Sequence, residues 1–295
     1  MKRRKFLYQS AIGGLGFAFA SRCLSAWGDD EITKPNSSPL FSFVALGDVG
    51  TGNIGQLAVA EAMDEYYRQD PFALVLLTGD NIYEDGEIEK VGKTFGRPYR
   101  FLRRNRVPFY AVLGNHDIRT NNGVDQVNYS AFNMDGRYYT WEKDIVQFFA
   151  LDTNYGTSLS EQLAWLEENL ANSKAVWKIV FGHHPIYSSG FHGSSDRLIK
   201  RLVPLFERYG VQLYLNGHDH NYERTQPITG TTYLTCGAGA KLRSVGKSDW
   251  TAHSVAKLSF VTIDVYPQQL YIQGIGKDGE VFDRTNIALD NLSNL

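Results

Sequence analysis

The chain has 295 residues, 43% of them hydrophobic and 21% charged, with a formal net charge of −2. Such a composition builds a large core and excludes a disordered or low-complexity chain. The slightly acidic balance, with no basic stripe to offset it, excludes a general electrostatic affinity for nucleic acid, so no nucleic-acid partner is expected.

At the N-terminus, Lys2, Arg3, Arg4 and Lys5 precede an apolar stretch too short to span a bilayer. Adjacent arginines followed by Lys5, Phe6 and Leu7 resemble a twin-arginine export signal, so residues 1–27 read as an export segment and the mature protein is expected in the periplasm or outside the cell. Ala18 and Ala20 offer a cleavage point, and Arg22 before Cys23 does not suit a lipid anchor, so no stable membrane association is expected after export. Only Cys236 is then sure to survive processing, and one cysteine closes no internal disulfide. Residues 28–39, GDDEITKPNSSP, read as a linker, and residues 40–295 as a single catalytic domain.

From Leu40 onward one device recurs: a short apolar run, a glycine, then a residue able to bind metal. FSFVAL precedes Gly47-Asp48, ALVLLT precedes Gly79-Asp80, VPFYAVL precedes Gly114-Asn115, VWKIVF precedes Gly182-His183, and VQLYLN precedes Gly217-His218. Their length and bounding glycines predict strands buried on both faces. Amphipathic stretches at 54–69, 161–172 and 195–209 predict helices, with Ser160 and either Ser194 or Ser195 as candidate N-caps. Alternating strands and helices predict an α/β fold whose ligands gather beyond the carboxyl ends of the strands. Three later runs, TTYLTCGAG, KLSFVTIDV and QLYIQGIG, have no helix between them and predict a second, largely antiparallel set of strands.

The strand ends supply Asp48, Asp80, Tyr83, Asn115, His183, His218 and His220 as candidate metal ligands. Carboxylate, amide oxygen, phenolate and imidazole suit iron, zinc or manganese, and no thiolate points to a softer metal. Seven ligands exceed one ion's needs, and Asp80 can bridge two ions, the arrangement suited to displacement at phosphorus. On an extended backbone His218 and His220 face one way and Asp219 the other. By the same alternation His184 is expected to face away from His183, and His116 to face substrate while Asn115 binds metal. Asp117, Asp152 and Asp219 are expected to orient their neighbours, and His184 and His253 to be structural or superficial.

GDVG (47–50), GDNIY (79–83), GNHD (114–117), GHHP (182–185) and GHDH (217–220) resemble the five motifs of the purple acid phosphatases, within the binuclear metallophosphoesterases. The likeness runs from about residue 41 to 240, and LDT at 151–153 with QLAWLEENL at 162–170 is similar to the small, single-domain, tartrate-resistant type. It implies a metallophosphoesterase-like αββα sandwich of two mixed sheets flanked by helices. It also implies Fe(III) on Asp48, Asp80, Tyr83 and His220, and a divalent iron, zinc or manganese on Asp80, Asn115, His183 and His218. His116 and His192 carry over as the catalytic residues on the substrate side, with Asn115 also touching substrate. The implied activity is hydrolysis of small phosphate monoesters by a metal-activated hydroxide at acidic to neutral pH. Two alternatives stand beside it: a phosphodiesterase or nucleotidase on the same fold, and a redox-active or phosphate-binding iron protein with little turnover.

Overall fold

A computed structural model describes residues 32–156 and 159–289; the export segment lies outside the described residues. Residues 32–40 contain neither helix nor strand, but Lys34 is tied to Asp70 at 2.7 Å and to the buried Asp264 at 2.9 Å.

Strand β1 (Phe41–Leu46) leads to helix α1 (Ile54–Gln69) and β2 (Leu74–Leu77). After short helical turns including α2 (Arg100–Arg104) come β3 (Phe109–Ala111), α3 (Val124–Val127) and the hairpin of β4 (Tyr139–Lys143) and β5 (Val146–Ala150). Helix α4 (Leu159–Asn172), β6 (Trp177–Phe181), α5 (Asp196–Tyr209) and β7 (Leu213–Asn216) continue the alternation. Six strands complete it: β8 (Tyr222–Thr225), β9 (Thr232–Cys236), β10 (Thr251–Val255), β11 (Ser259–Val265), β12 (Gln269–Gly276) and β13 (Val281–Ala288).

These strands form two mixed sheets, ordered β13-β12-β11-β1-β2-β3 and β10-β8-β9-β7-β6-β5-β4. Alternate residues of each central strand face opposite ways, which explains why the runs are apolar throughout. Phe43 and Ala45 of β1 meet Phe148, Ile179, Phe181 and Leu215 in the core between the sheets, where the Phe43 and Phe148 rings sit edge to face at 5.3 Å. Val44 and Leu46 face the other way onto Val59, Ala60 and Met63 of α1. On the outside of the second sheet, Phe149, Val180 and Tyr214 are covered by Leu166 and Leu170 of α4 and by Leu198, Leu202 and Phe206 of α5. The result is four layers, helix on sheet on sheet on helix.

A polar clasp also joins the sheets. Asp283 on β13 accepts from Arg224 Nε at 2.7 Å, Arg224 Nη2 at 2.9 Å and the Tyr222 hydroxyl at 2.6 Å, both donors standing on β8.

Two details differ from the sequence reading, and a third settles an alternative it left open. The later strands are not a set apart: β9 lies parallel to β7 in the second sheet, while β11 pairs antiparallel with β1 and carries β12 and β13 to extend the first. Helix α4 begins at Leu159, which puts Ser160 in its first turn instead of at its cap. Ser195 caps α5 by accepting from Leu198 N at 3.4 Å, whereas the Ser194 hydroxyl accepts from Ser188 N.

Candidate metal centre

The loops after β1, β2, β3, β6 and β7 converge on one rim. Their glycines are needed because the loops touch one another. A Cβ on Gly114 would stand 2.1 Å from Asp80 Oδ1, and one on Gly217 would stand 2.4 Å from Asp48 Oδ2. Three candidate ligands, Asp48, Asp80 and His218, hold positive φ of 57°, 53° and 70°. Residues other than glycine rarely adopt that region, and its cost is offset where surrounding structure over-determines the backbone. Here Asp48 is pinned by its own Oδ2, which accepts from His218 N at 2.8 Å, and Asp80 by Oδ1, which accepts from His116 N at 3.0 Å. Because His218 is left-handed, GHDH is a kinked segment, and the strand alternation assumed from its spacing does not describe it.

The donors fall into two clusters. In one, the Tyr83 hydroxyl lies 3.1 Å from Asp48 Oδ1 and 3.2 Å from His220 Nε2, which is itself 3.4 Å from Asp48 Oδ1. In the other, His183 Nε2 lies 3.1 Å from Asn115 Oδ1, 3.2 Å from His218 Nδ1 and 3.6 Å from Asp80 Oδ1. Asp48, Asp80 and His183 each offer an atom within 4.8 Å of the others, and all three are buried. All seven candidate ligands therefore gather at one place.

This donor set fits metal on physical grounds. Asp48 and Asp80 are 0% and 1% exposed, yet no lysine or arginine among the described residues pairs with either. Buried carboxylates without a countercharge are costly, and a bound cation removes that cost. His183 Nδ1 faces the Thr78 carbonyl at 2.9 Å, which holds the proton there and turns the Nε2 lone pair into the cluster. Burial opposes protonation of His183, but Asp80 and Asp48 outweigh it and raise its pKa. Burial first, then Asp48 and Asp80, push the Tyr83 phenol far above its usual range, so only a strong local positive charge would ionise it. Burial and the neighbouring imidazoles of His183 and His184 keep His218 neutral, as a ligand must be.

His116 and His192, the two histidines expected on the substrate side, share one wiring. His192 Nδ1 lies 2.9 Å from Asp219 Oδ1, and its Nε2 lies 2.9 Å from Arg243 Nη1. His116 Nδ1 lies 2.6 Å from the Glu84 carbonyl, and its Nε2 lies 3.3 Å from Arg119 Nη2. An oxygen on Nδ1 fixes the tautomer, and an arginine faces Nε2. Both rings also touch the clusters: His192 stacks on His218 at 3.9 Å, and His116 meets Tyr83 at 4.6 Å.

The three aspartates expected to orient neighbours do so. Asp117 accepts from Gly114 N, Asn81 N and Ile82 N, locking GNHD against GDNIY. Asp152 accepts from Arg137 Nε and Asn154 N, and Asp219 is fully buried beneath His192. His184 does not face away as alternation predicted. Its ring centroid is 4.5 Å from that of His218 while Nδ1 meets the Thr153 hydroxyl at 2.9 Å, because the chain leaves β6 before this residue and no longer alternates.

The calcineurin-like phosphoesterase family matches residues 41–222 of this chain. Purple acid phosphatase 17 of Arabidopsis thaliana is 30% identical to it, with 71% of each chain covered. The chain belongs to this family, among the purple acid phosphatases. Tartrate-resistant acid phosphatase type 5 of Oryctolagus cuniculus is 28% identical over 85% of this chain and 92% of that protein. A solved purple acid phosphatase, PPD1 from yellow lupin (Lupinus luteus) seeds, has the same fold, with a TM-score of 0.72 at 22% identity over 88% of this chain and 55% of the other. As a purple acid phosphatase, the chain is a metal-dependent phosphoric monoester hydrolase.

Sequence reasoning about this phosphatase missed its basic residues. Arg243 stands in the loop between β9 and β10, its backbone N–H held by the His220 carbonyl at 2.9 Å, and Lys241 lies 4.1 Å over the Tyr83 ring. Arg119 and Arg197 complete the group. The signal available was the KLR triplet at 241–243, a few residues after Gly237 and Gly239.

Proposed function

We propose that this purple acid phosphatase works through two metals, with Asp48, Asp80, Tyr83 and His220 holding Fe(III) and Asp80, Asn115, His183 and His218 holding a divalent iron, zinc or manganese. The observation that carries this reading is the division of the donors into the Tyr83–His220–Asp48 cluster and the His183–Asn115–His218 cluster, with Asp80 beside the second. Such ions, when bound, supply Lewis acidity toward phosphate oxygens and an acidified water as nucleophile. The chain's own groups bind and orient the ester. Asn115, His116 and His192 face the phosphoryl group, and Arg119 and Arg243 are positioned to exchange a histidine contact for a phosphate oxygen. His192, its Nδ1 held by Asp219, keeps Nε2 directed outward to assist departure of the alcohol.

The substrate is a small phosphate monoester, since the matched relatives are acid phosphatases, which does not favour the diesterase or low-turnover alternatives. The basic, apolar start of the chain supports export to the periplasm or beyond, ahead of one catalytic domain from residue 40. Natively expressed protein should contain iron and show a visible tyrosinate-to-iron band, and it should hydrolyse an aryl monoester faster than the matching diester. A colourless, fully active zinc or manganese enzyme would remove the Fe(III) assignment, and a faster diester would remove the monoesterase reading.

A further inference from the structure

A cavity of about 410 Å³ continues outward from the second donor cluster. Asn115 and His218 line it together with His184 and His192, and it runs to Arg197 and to Tyr155, whose side is 72% exposed. Among the described residues, no carboxylate lines it. The Arg197 guanidinium stands 4.5 Å over the Tyr155 ring and donates through Nη2 to the Thr153 carbonyl at 2.5 Å. Its other N–H groups have no partner among the described residues, and Nε is buried without one.

The contrast with its neighbours matters. Arg119 is paired with Asp85 at 3.3 Å, Arg137 with Asp152 at 2.7 Å and Lys241 with Glu84 at 3.1 Å. Arg197 has no carboxylate within ion-pair distance among the described residues. A guanidinium held in place by a carbonyl and an aromatic face keeps its charge and its planar fork for a ligand. If the transferred phosphoryl group occupies the donor end of the cavity, the departing alcohol extends toward Arg197.

We infer that this cavity is a leaving-group subsite for a second anionic group, carboxylate or phosphate, on the alcohol portion of the ester, with Arg197 as the residue that selects it and Tyr155 as its aromatic wall. This rests on the monoester phosphatase reading. The preferred substrates are then phosphorylated acids or bisphosphates, and uncharged alcohols are released from their esters less efficiently.

The test compares kcat/KM of the metal-loaded protein for phenyl phosphate, 4-carboxyphenyl phosphate and 1,4-phenylene bisphosphate, in the unmodified chain and in Arg197→Gln and Arg197→Lys. Each ratio of anionic to plain substrate is taken on one preparation, so loss of folded or loaded protein cancels. The ratio should fall about tenfold in Arg197→Gln, the factor expected for one charge-assisted hydrogen bond, and Arg197→Lys should keep part of it. A fall confined to the carboxylate or to the bisphosphate names the group; a fall in both assigns a general anion subsite. An anionic-to-plain ratio equal in Arg197→Gln and the unmodified chain overturns the inference. Absence of hydrolysis with all three substrates would instead remove the phosphatase reading on which it stands.

Discussion

His183 and His192 are nine residues apart, and their surroundings assign them different failures. His183 has its Nδ1 on a backbone carbonyl and its Nε2 among donors, so His183→Ala should lose bound metal. His192 holds a carboxylate and an arginine, so His192→Ala should keep its metal and lose roughly 100- to 10,000-fold in kcat, the span of a lost proton-transfer group. Metal analysis beside steady-state rates separates the two, and equal metal loss in both variants would refute the division. Far from the site, Asp64 on α1 tests burial alone. Its carboxyl is half-buried, and desolvation raises its pKa to about 6. A raised carboxylate destabilises the fold above that pH, and the penalty vanishes below the ordinary value of 3.8. Asp64→Asn should therefore stabilise by about 1 kcal/mol at pH 8, after discounting for exposure, and leave stability unchanged near pH 3. Denaturant midpoints at the two pH values check it. At this scale the sequence disclosed Asp48, Asp80, Asn115, His183 and His218 because each follows a glycine at a strand end, and Tyr83 and His220 because they lie two or three residues beyond such a ligand. It did not disclose Arg197 or Arg243, which reach the centre only through tertiary packing, nor the placement of His184, which lies beyond the end of its strand.

Among the elements, the edge strand β13 of the first sheet and β8, next to the edge of the second, are where the sheets are clasped. Burial alone would raise the Asp283 carboxyl, but the Arg224 guanidinium and the Tyr222 hydroxyl outweigh it and hold it below its usual range. The clasp therefore contributes fully above the ordinary carboxylate pKa and is lost as pH falls through the lower folded-state value. Arg224→Met strands a buried carboxylate and should cost about 3 kcal/mol at neutral pH, read from urea unfolding. Asp283→Asn in the same background should recover part of that loss; no recovery would mean that the charge is not what matters. Neither strand was legible. VFDRTNIA and YERT carry polar residues at positions that periodicity assigns to solvent, and the polar partners that bury them lie about 60 residues apart in the chain. The central strands were legible because both of their faces are covered and their runs are apolar throughout.

For the molecule as a whole, the proposed ligands divide between the sheets. Asp48, Asp80, Tyr83 and Asn115 follow strands of the first sheet, and His183, His218 and His220 follow strands of the second. Metal bound by both stabilises the packed pair by mass action. Chelation should lower the melting temperature by several degrees, on the order of 3 kcal/mol at a hundredfold excess of ion over its dissociation constant, and restored metal should reverse it. An unchanged midpoint in calorimetry would show that the ions do not bridge the sheets. The two-sheet architecture followed from the family resemblance, whereas the pairing of β1 with β11 could not be read from spacing, since the partners are more than 200 residues apart.

That pairing sets a timetable for a chain made from its N-terminus. When Asp48 and Asp80 leave the ribosome, the strand on one side of β1 has not been synthesised, and neither have the histidines at 218 and 220. The ligands are all present once His220 has been made, but the strand flanking β1 is complete only after β11 and the clasp only after Asp283 on β13, so ion loading should be an event of the nearly finished polypeptide, and a nascent chain halted before β11 should remain unable to retain an ion.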